Sequence, residues 1–388
     1  MNCFVIQLKF ICFTIRMIKH LVKDKSKSTR LKFRNISITF ACIVLAFCGN
    51  IHAQMSVFPK AFGIRAGYGF IVPHSSSVEP LINGHISSFE LNYRYNFSGV
   101  KEWEKTYRYP YSGIAFHYMN FNNDKTGSAI SVMPYFAFPL KKNKILDAHF
   151  RVATGIAYIT RKFDLLENRK NLMIGSNLNA AVDLLLQANW KIDRKIHLLT
   201  GISLTHFSNG AFSVPNTGIN VLSVNSGLTI NIGQPVAVNH NKFPILRRSL
   251  KWLAWGGFWL KEVDQVGGAK FGAGTISVNA LKRYSMKGSF GGGIDLMYDR
   301  SMLKRKPELG APIRAGLTFA YEIHIGKMSI PIQQGIYVFD MFKKDTFFYQ
   351  RIGWRYHINK EFIAQFTLKS HLFVADYAEL GIGYTFKQ

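Results

Sequence analysis

The chain has 388 residues, 48% of them hydrophobic, and a formal net charge of +27. Beyond residue 54 it holds no apolar run of about 18 residues, which excludes ordinary transmembrane helices from that region. Its 32 Phe, 17 Tyr and 32 Gly are instead what membrane strands with aromatic girdles and tight turns need. All four cysteines (Cys3, Cys12, Cys42, Cys48) fall in the first 48 residues, so the remainder can cross an oxidising compartment without disulfides.

Residues 1–53 read as a targeting segment. Lys19, Lys23, Lys25, Lys27, Arg30, Lys32 and Arg34 form a basic region, Ile36 to Phe47 an apolar one, and Ile51-His52-Ala53 a small-residue cleavage site. Met17 is an alternative start, and an uncleaved helical anchor is the rival reading. Phe47 before Cys48 argues against a lipoprotein signal. The basic charge is partly this leader, with nine Lys and Arg against Asp24. The remaining cations are scattered through strands and loops. That distribution suits anionic lipid headgroups, or plain solvated loops, better than nucleic acid.

The region from 54 to 233 repeats roughly ten alternating residues and then a turn. Phe62, Ile64, Ala66, Tyr68 and Phe70 share one strand face, and Gly63, Arg65, Gly67 and Gly69 the other. Phe89, Leu91, Tyr93, Tyr95 and Phe97 likewise oppose Glu90, Asn92, Arg94 and Asn96. The pattern is that of an antiparallel transmembrane β-barrel, apolar toward lipid and polar toward the lumen, with no backbone left unpaired in the bilayer. Strands are expected near 62–71, 86–97, 112–121, 128–140, 146–161, 176–190, 196–208 and 219–232. With a periplasmic N-terminus, the connections at Lys141–Lys144 and Lys191–Lys195 are short periplasmic turns, and those at 72–85, 162–175 and 209–218 face outward.

A linker over 234–249, with Pro235, Pro244, Arg247 and Arg248, breaks the pattern. From 250 to 388, further strands are expected at 250–262, 268–282, 286–298, 311–326, 328–340, 346–357, 361–371 and 376–386. Gly291-Gly292-Gly293 is expected to interrupt one of them. The last strand, Gly381-Ile382-Gly383-Tyr384-Thr385-Phe386, is rich in aromatics. Two architectures fit: one barrel of 12–16 strands that residues 250–388 complete or extend, or an eight-strand barrel with an added β-domain.

One stretch stands out, from Leu204 to Asn220. Ile202, Leu204, His206 and Ser208 share a face, and Asn220 shares parity with Leu222, Val224, Leu228 and Ile230. His206, Ser208 and Asn220 are therefore expected on the lipid side, near the extracellular rim. A polar group there costs a few kcal/mol unless it is paired, and an enzyme that acts on a lipid needs its groups there. A serine hydroxyl becomes a nucleophile when a base takes its proton. The base needs a partner to fix its tautomer, and the oxyanion needs N–H donors. His206 and Ser208 lie about 7 Å apart by backbone rise alone, so the strand end has to twist or bulge for the two to meet.

His206-Phe207-Ser208-Asn209-Gly210, followed by Pro215-Asn216-x-Gly218, resembles the outer-membrane lipid A 3-O-deacylases of the PagL type. The resemblance covers 61–233 in strand count and 204–220 in residues. It implies an eight-stranded barrel with a His-Ser-Glu triad facing the outer leaflet. The implied reaction is metal-free hydrolysis of the ester-linked 3-hydroxyacyl chain of lipid A, without a cofactor. His206 matches the base and Ser208 the nucleophile. Asn209, Gly210, Ala211 and Asn216 match the region of oxyanion stabilisation and substrate binding. The family's acid falls on Asn220, and no Asp or Glu occurs between Arg194 and Lys261. Residues 250–388 have no counterpart in the small members.

The other histidines beyond the leader, His74, His85, His117, His149, His197, His240, His324, His357 and His371, show no metal-like spacing. His149 and Arg151 are expected in the lumen. Arg161, Lys162, Arg169 and Lys170 flank an outward loop and are either solvated or placed to meet lipid A phosphates. Gly67-Tyr68-Gly69 is a strand feature and not a phosphate loop. The rival functions are a non-enzymatic barrel, porin or surface-assembly component, and a phospholipase with the same chemistry. The sequence leaves the oligomeric state open.

Overall fold

Period-two alternation yields strands along the described part of the chain. The structure, a computed structural model, describes residues 56–386 apart from 74–77, 83, 240–245, 247, 343–345 and 373. Residues 1–53, expected as a targeting segment, together with His74, His240 and part of the expected linker, lie outside the described residues.

A two-residue strand, β1 (Ser56–Val57), precedes eight long ones: β2 (Lys60–Ile71), β3 (Ile86–Asn96), β4 (Tyr111–Asn120), β5 (Ser128–Lys142), β6 (Leu146–Ile159), β7 (Leu178–Lys191), β8 (Ile196–Ser208) and β9 (Ile219–Ile232). Each pairs antiparallel with the next, and β2 closes on β9 from Lys60↔Ile232 to Ile71↔Val221. The short strand β10 (Val236–Ala237) then pairs with β1. A second set comes next: β11 (Leu250–Glu262), β12 (Lys270–Arg283), β13 (Gly288–Asp299), β14 (Ile313–Ile325), β15 (Met328–Asp340), β16 (Phe348–His357), β17 (Phe362–His371) and β18 (Val374–Phe386). This set closes on itself through β11 and β18. Of the two architectures open to the sequence, the fold is thus an eight-strand barrel followed by more β-structure, and that addition is itself a closed eight-strand barrel.

The alternation sorts as its physics requires. Phe62, Ile64, Tyr68 and Phe70 are exposed on the outside of the first barrel, whereas Arg65, between them, is buried. His149 and Arg151 point inward and are buried, as expected. An eight-stranded barrel is just wide enough for side chains to fill, and here ion pairs fill it. Arg151 makes a two-pronged contact with Glu90 at 2.7 and 2.6 Å. Arg65 bridges Glu90 at 2.5 Å and Asp183 at 3.2 Å, and Thr205 donates to Asp183 at 2.8 Å. The second barrel repeats the solution with other residues. Arg351 lies 2.6 Å from Glu379 and 2.8 Å from Asp295, and Arg355 lies 2.8 Å from Glu322.

Gly291-Gly292-Gly293 does not interrupt its strand. β13 runs through it in unbroken register with β12 and β14, and a Cβ at Gly291 would lie 1.8 Å from the Ala280 carbonyl oxygen. The glycines allow close approach of a neighbouring strand instead of a break. The alternation did not mark two short helices, α1 (Glu102–Thr106) and α2 (Ser301–Arg305).

The barrels touch at both ends. At the β3–β4 end, Tyr107 donates to the His324 carbonyl at 2.8 Å. Trp103 of α1 packs on Phe97 and Phe136 of the first barrel, and a Cβ at Gly326 of the second would lie 2.9 Å from its indole nitrogen. The other end carries the site.

Candidate active site

The loop 209–218 joins β8 to β9 at the barrel end that also carries the connections after β2 and β6. Beneath it, inward-facing Phe207, Ile219 and Val221 are fully buried. They pack with Phe121, Met173 and Ile174 into an apolar plug that closes the lumen at this end. The plug gives the outward faces of β8 and β9 a rigid backing.

On those outward faces, His206 and Asn220 are direct cross-strand partners. His206 Nδ1 lies 2.6 Å from Asn220 Oδ1. An amide oxygen can only accept, so this geometry puts the ring proton on Nδ1 and the basic lone pair on Nε2. His206 follows exposed Ile202 and Leu204 in parity, and Ser208 is the next residue on that face. Ser208 is the last residue of β8 and is buried. Gly218 has a φ of +81°, and a Cβ there would come within 2.9 Å of His206 Cε1. Only glycine fits against the ring at that point.

After Ser208 the chain turns through two left-handed residues, Gly210 at φ 60° and Ala211 at φ 63°. For Ala211 this conformation costs about 1–2 kcal/mol. Asn209 braces the turn. Its side-chain amide donates to Ser176 Oγ at 3.0 Å and to the Ser213 carbonyl at 2.9 Å, and its backbone N–H donates to Asn216 Oδ1 at 3.1 Å. The Gly218 N–H donates to the Met173 carbonyl at 3.0 Å, and Thr217 Oγ1 to that of Leu172 at 3.1 Å. The loop therefore rests on the β6–β7 connection.

Four residues around the site lay outside the sequence reading: Ser176, Met173, Glu262 and Lys270. Glu262 Oε2 accepts the Val214 N–H at 3.2 Å, although it belongs to the second barrel. The signal in the sequence was slight, for Glu262 is the first carboxylate after the acid-free stretch. The four cations Arg161, Lys162, Arg169 and Lys170 are exposed on the β6–β7 connection. There Asp164 accepts the N–H groups of Glu167 at 3.0 Å and Leu166 at 2.9 Å, which lowers its pKa below the ordinary aspartate value.

Two histidines without metal-like spacing in sequence do meet in space. His324 and His357 of the second barrel place ring nitrogens within 4.8 Å of a Glu322 carboxylate oxygen. Arg355 occupies the same carboxylate, and Ser289 and Ser329 hydrogen-bond the two rings at 2.7 and 3.1 Å. The cluster reads as a satisfied polar network.

A family model described as lipid A 3-O-deacylase (PagL) matches residues 87–229, and one described as acyloxyacyl hydrolase, C-terminal domain, matches residues 249–388. Between them they span well over half of the chain. Similar solved structures include the outer membrane enzyme PagL, at 17% identity over 44% of this chain and 99% of that one, with a TM-score of 0.32. Neisserial surface protein A matches at 10% identity over 45% and 97%, with a TM-score of 0.31. A mutant porin of Rh. blastica matches at 9% over 86% and 100%, with a TM-score of 0.18. Among curated proteins nothing matches this chain.

Proposed function

This chain belongs to the lipid A 3-O-deacylase (PagL) family of bacterial outer-membrane β-barrels, and on that premise we propose that it hydrolyses the ester-linked 3-hydroxyacyl chain of lipid A with Ser208, His206 and Asn220 at the outer, lipid-facing rim. The observation that carries the reading is the 2.6 Å contact between His206 Nδ1 and Asn220 Oδ1. It fixes the tautomer that a general base needs.

In the proposed reaction Ser208 Oγ attacks the acyl carbonyl carbon as His206 Nε2 takes its proton. The tetrahedral intermediate places its negative charge toward the Gly210 and Ala211 backbone N–H groups, held by the left-handed turn. His206 returns the proton to the departing sugar oxygen. Water, activated by the same ring, then releases the fatty acid and restores Ser208. Asn209 and Asn216 shape the loop through their mutual contact and that of Asn209 with Ser176. Asn220 orients the ring without adding a charge, so it stabilises the imidazolium less than a carboxylate does. Arg161, Lys162, Arg169 and Lys170, on the adjoining connection, suit the phosphates of the substrate.

A filled lumen supports this reading over a porin, because the Arg65–Glu90–Arg151–Asp183 cluster occupies the first barrel. The test is the mass spectrum of lipid A from cells that express the protein. Loss of one hydroxyacyl chain, abolished in Ser208→Ala and His206→Ala, is expected. An unchanged spectrum with folded protein in the outer membrane defeats the proposal, and release of fatty acid from glycerophospholipid instead of lipid A makes the enzyme a phospholipase.

A further inference from the structure

The site loop is held from two sides. On the first barrel, the loop rests on Met173, Leu172 and Ser176. On the other side, it meets the β11–β12 hairpin and the β18 wall of the second barrel. The Glu262 N–H donates to the Ala211 carbonyl at 3.0 Å. Glu262 Oε2 accepts from the Val214 N–H at 3.2 Å, and Oε1 accepts from the Gly268 N–H at 2.8 Å. Glu262 is only 3% exposed.

Lys270 is the cross-strand partner of Glu262 in the β11–β12 ladder. Its ammonium lies 3.5 Å from Glu262 Oε2. It donates to the Phe212 carbonyl and, at 3.2 Å, to Ser213 Oγ. It also stands 4.0 Å from the centre of the Phe212 ring, and that ring packs edge-on against Trp259 of β11 at 6.1 Å. A Cβ at Gly210 would lie 3.2 Å from the Ala378 Cβ.

These contacts converge on 210–214, the segment that begins with the Gly210 and Ala211 amides assigned to the oxyanion in the mechanism above. We propose that the second barrel serves the catalytic reaction as a clamp, with Glu262 and Lys270 as positioning residues that hold the 210–214 backbone in its oxyanion-binding conformation. The inference rests on the deacylase reading. Its physical basis is preorganisation. N–H groups stabilise an oxyanion in proportion to how little they must reorient during reaction, and a loop with two left-handed residues in succession relaxes unless its surroundings over-determine it. A buried carboxylate that receives two backbone N–H groups is a strong anchor, because each bond is charge-assisted. The clamp touches neither Ser208 nor His206 in any contact described, so its loss should slow the chemical step and leave ground-state binding of lipid A nearly unchanged.

The experiment uses the full-length protein in detergent with purified lipid A. It compares wild type, Ser208→Ala, Glu262→Ala, Glu262→Gln and Lys270→Met. Gel migration with and without heating shows that both barrels are folded, and amide hydrogen exchange tracks 210–214. Glu262→Ala is expected to lower kcat about 10- to 100-fold with KM within about twofold. Glu262→Gln, which keeps one acceptor oxygen, should fall between it and wild type, and Lys270→Met should lose a few-fold. Exchange at 210–214 should rise in the same order while β8 and β9 stay protected. A wild type no faster than Ser208→Ala fails the deacylase reading and with it the kinetic role assigned to the clamp. A wild-type kcat in folded Glu262→Ala overturns the positioning role, and unchanged exchange in that variant overturns the clamp itself.

Discussion

The two barrels solve the same problem of packing and differ at one hairpin. Each has eight strands, and each fills its lumen with arginines bound to carboxylates: Arg65 and Arg151 in the first, Arg351 and Arg355 in the second. In the first barrel, the last two strands are joined by the loop 209–218, with His206 and Asn220 paired at its base. In the second, the same hairpin closes tightly, with His371 opposite Val374 and Leu372 at φ 48°. Both cylinders therefore suffice as folds, and the chemistry we propose sits on one of them, in a loop and the outward-facing His206, Ser208 and Asn220.

The sharpest way to break the comparison is to remove those groups. Ser208→Ala or His206→Ala should cost about 10³-fold or more in deacylation while leaving both barrels folded, as read by heat-modified gel migration. An active, folded Ser208→Ala protein would make the two barrels functionally alike. A change to the shared feature should act the other way. Arg151→Ala takes away one of the two cations that share Glu90 and Asp183 and leaves Arg65 alone against both buried carboxylates, which should cost about 3 kcal/mol of stability, measured by urea titration in detergent. Arg351→Ala should cost the second barrel a similar amount, and neither pure barrel should conduct ions across a planar bilayer. Next in size is Gly218→Ala, whose Cβ collides with the His206 ring. A loss of about 10²-fold in kcat is expected, with a stability cost of about 1–2 kcal/mol from the left-handed backbone, and equal rates would show that the ring position is not critical. The smallest expected effect is a gain. Asn220→Asp keeps the reach to His206 Nδ1 and adds a charge that favours the imidazolium, so kcat should rise about tenfold, and a slower variant would show that the amide is the better partner here.

The strands were legible because alternation is local. Every strand of both barrels falls within a few residues of where the pattern of apolar and polar side chains puts it, from Lys60–Ile71 to Val374–Phe386. Closure was not legible. That β9 returns to β2 instead of running on to β11 depends on pairing across more than a hundred residues, and no window of sequence contains it. The site divides in the same way. His206 and Asn220 could be placed on one face by parity. Their pairing, and the closeness of Gly218 to the ring, emerged only with the register of β8 on β9. Glu262 was barely legible, its one trace being that it is the first carboxylate after the acid-free stretch. It reaches Val214 across the seam between two barrels, and nothing near it in the chain announces a partner. The helix at Glu102–Thr106 was missed for a different reason, since a single turn of five residues has no period to detect.

The small ladder between β1 and β10 carries a last consequence. Ser56 faces Ala237 and Val57 faces Val236, so the segments that lead into and out of the first barrel are fastened together. An even number of strands brings a chain back to the side from which it set out. The first barrel is thus a self-contained cassette with both ends on one side, and the peptide that leads onward never has to traverse the bilayer to begin the next.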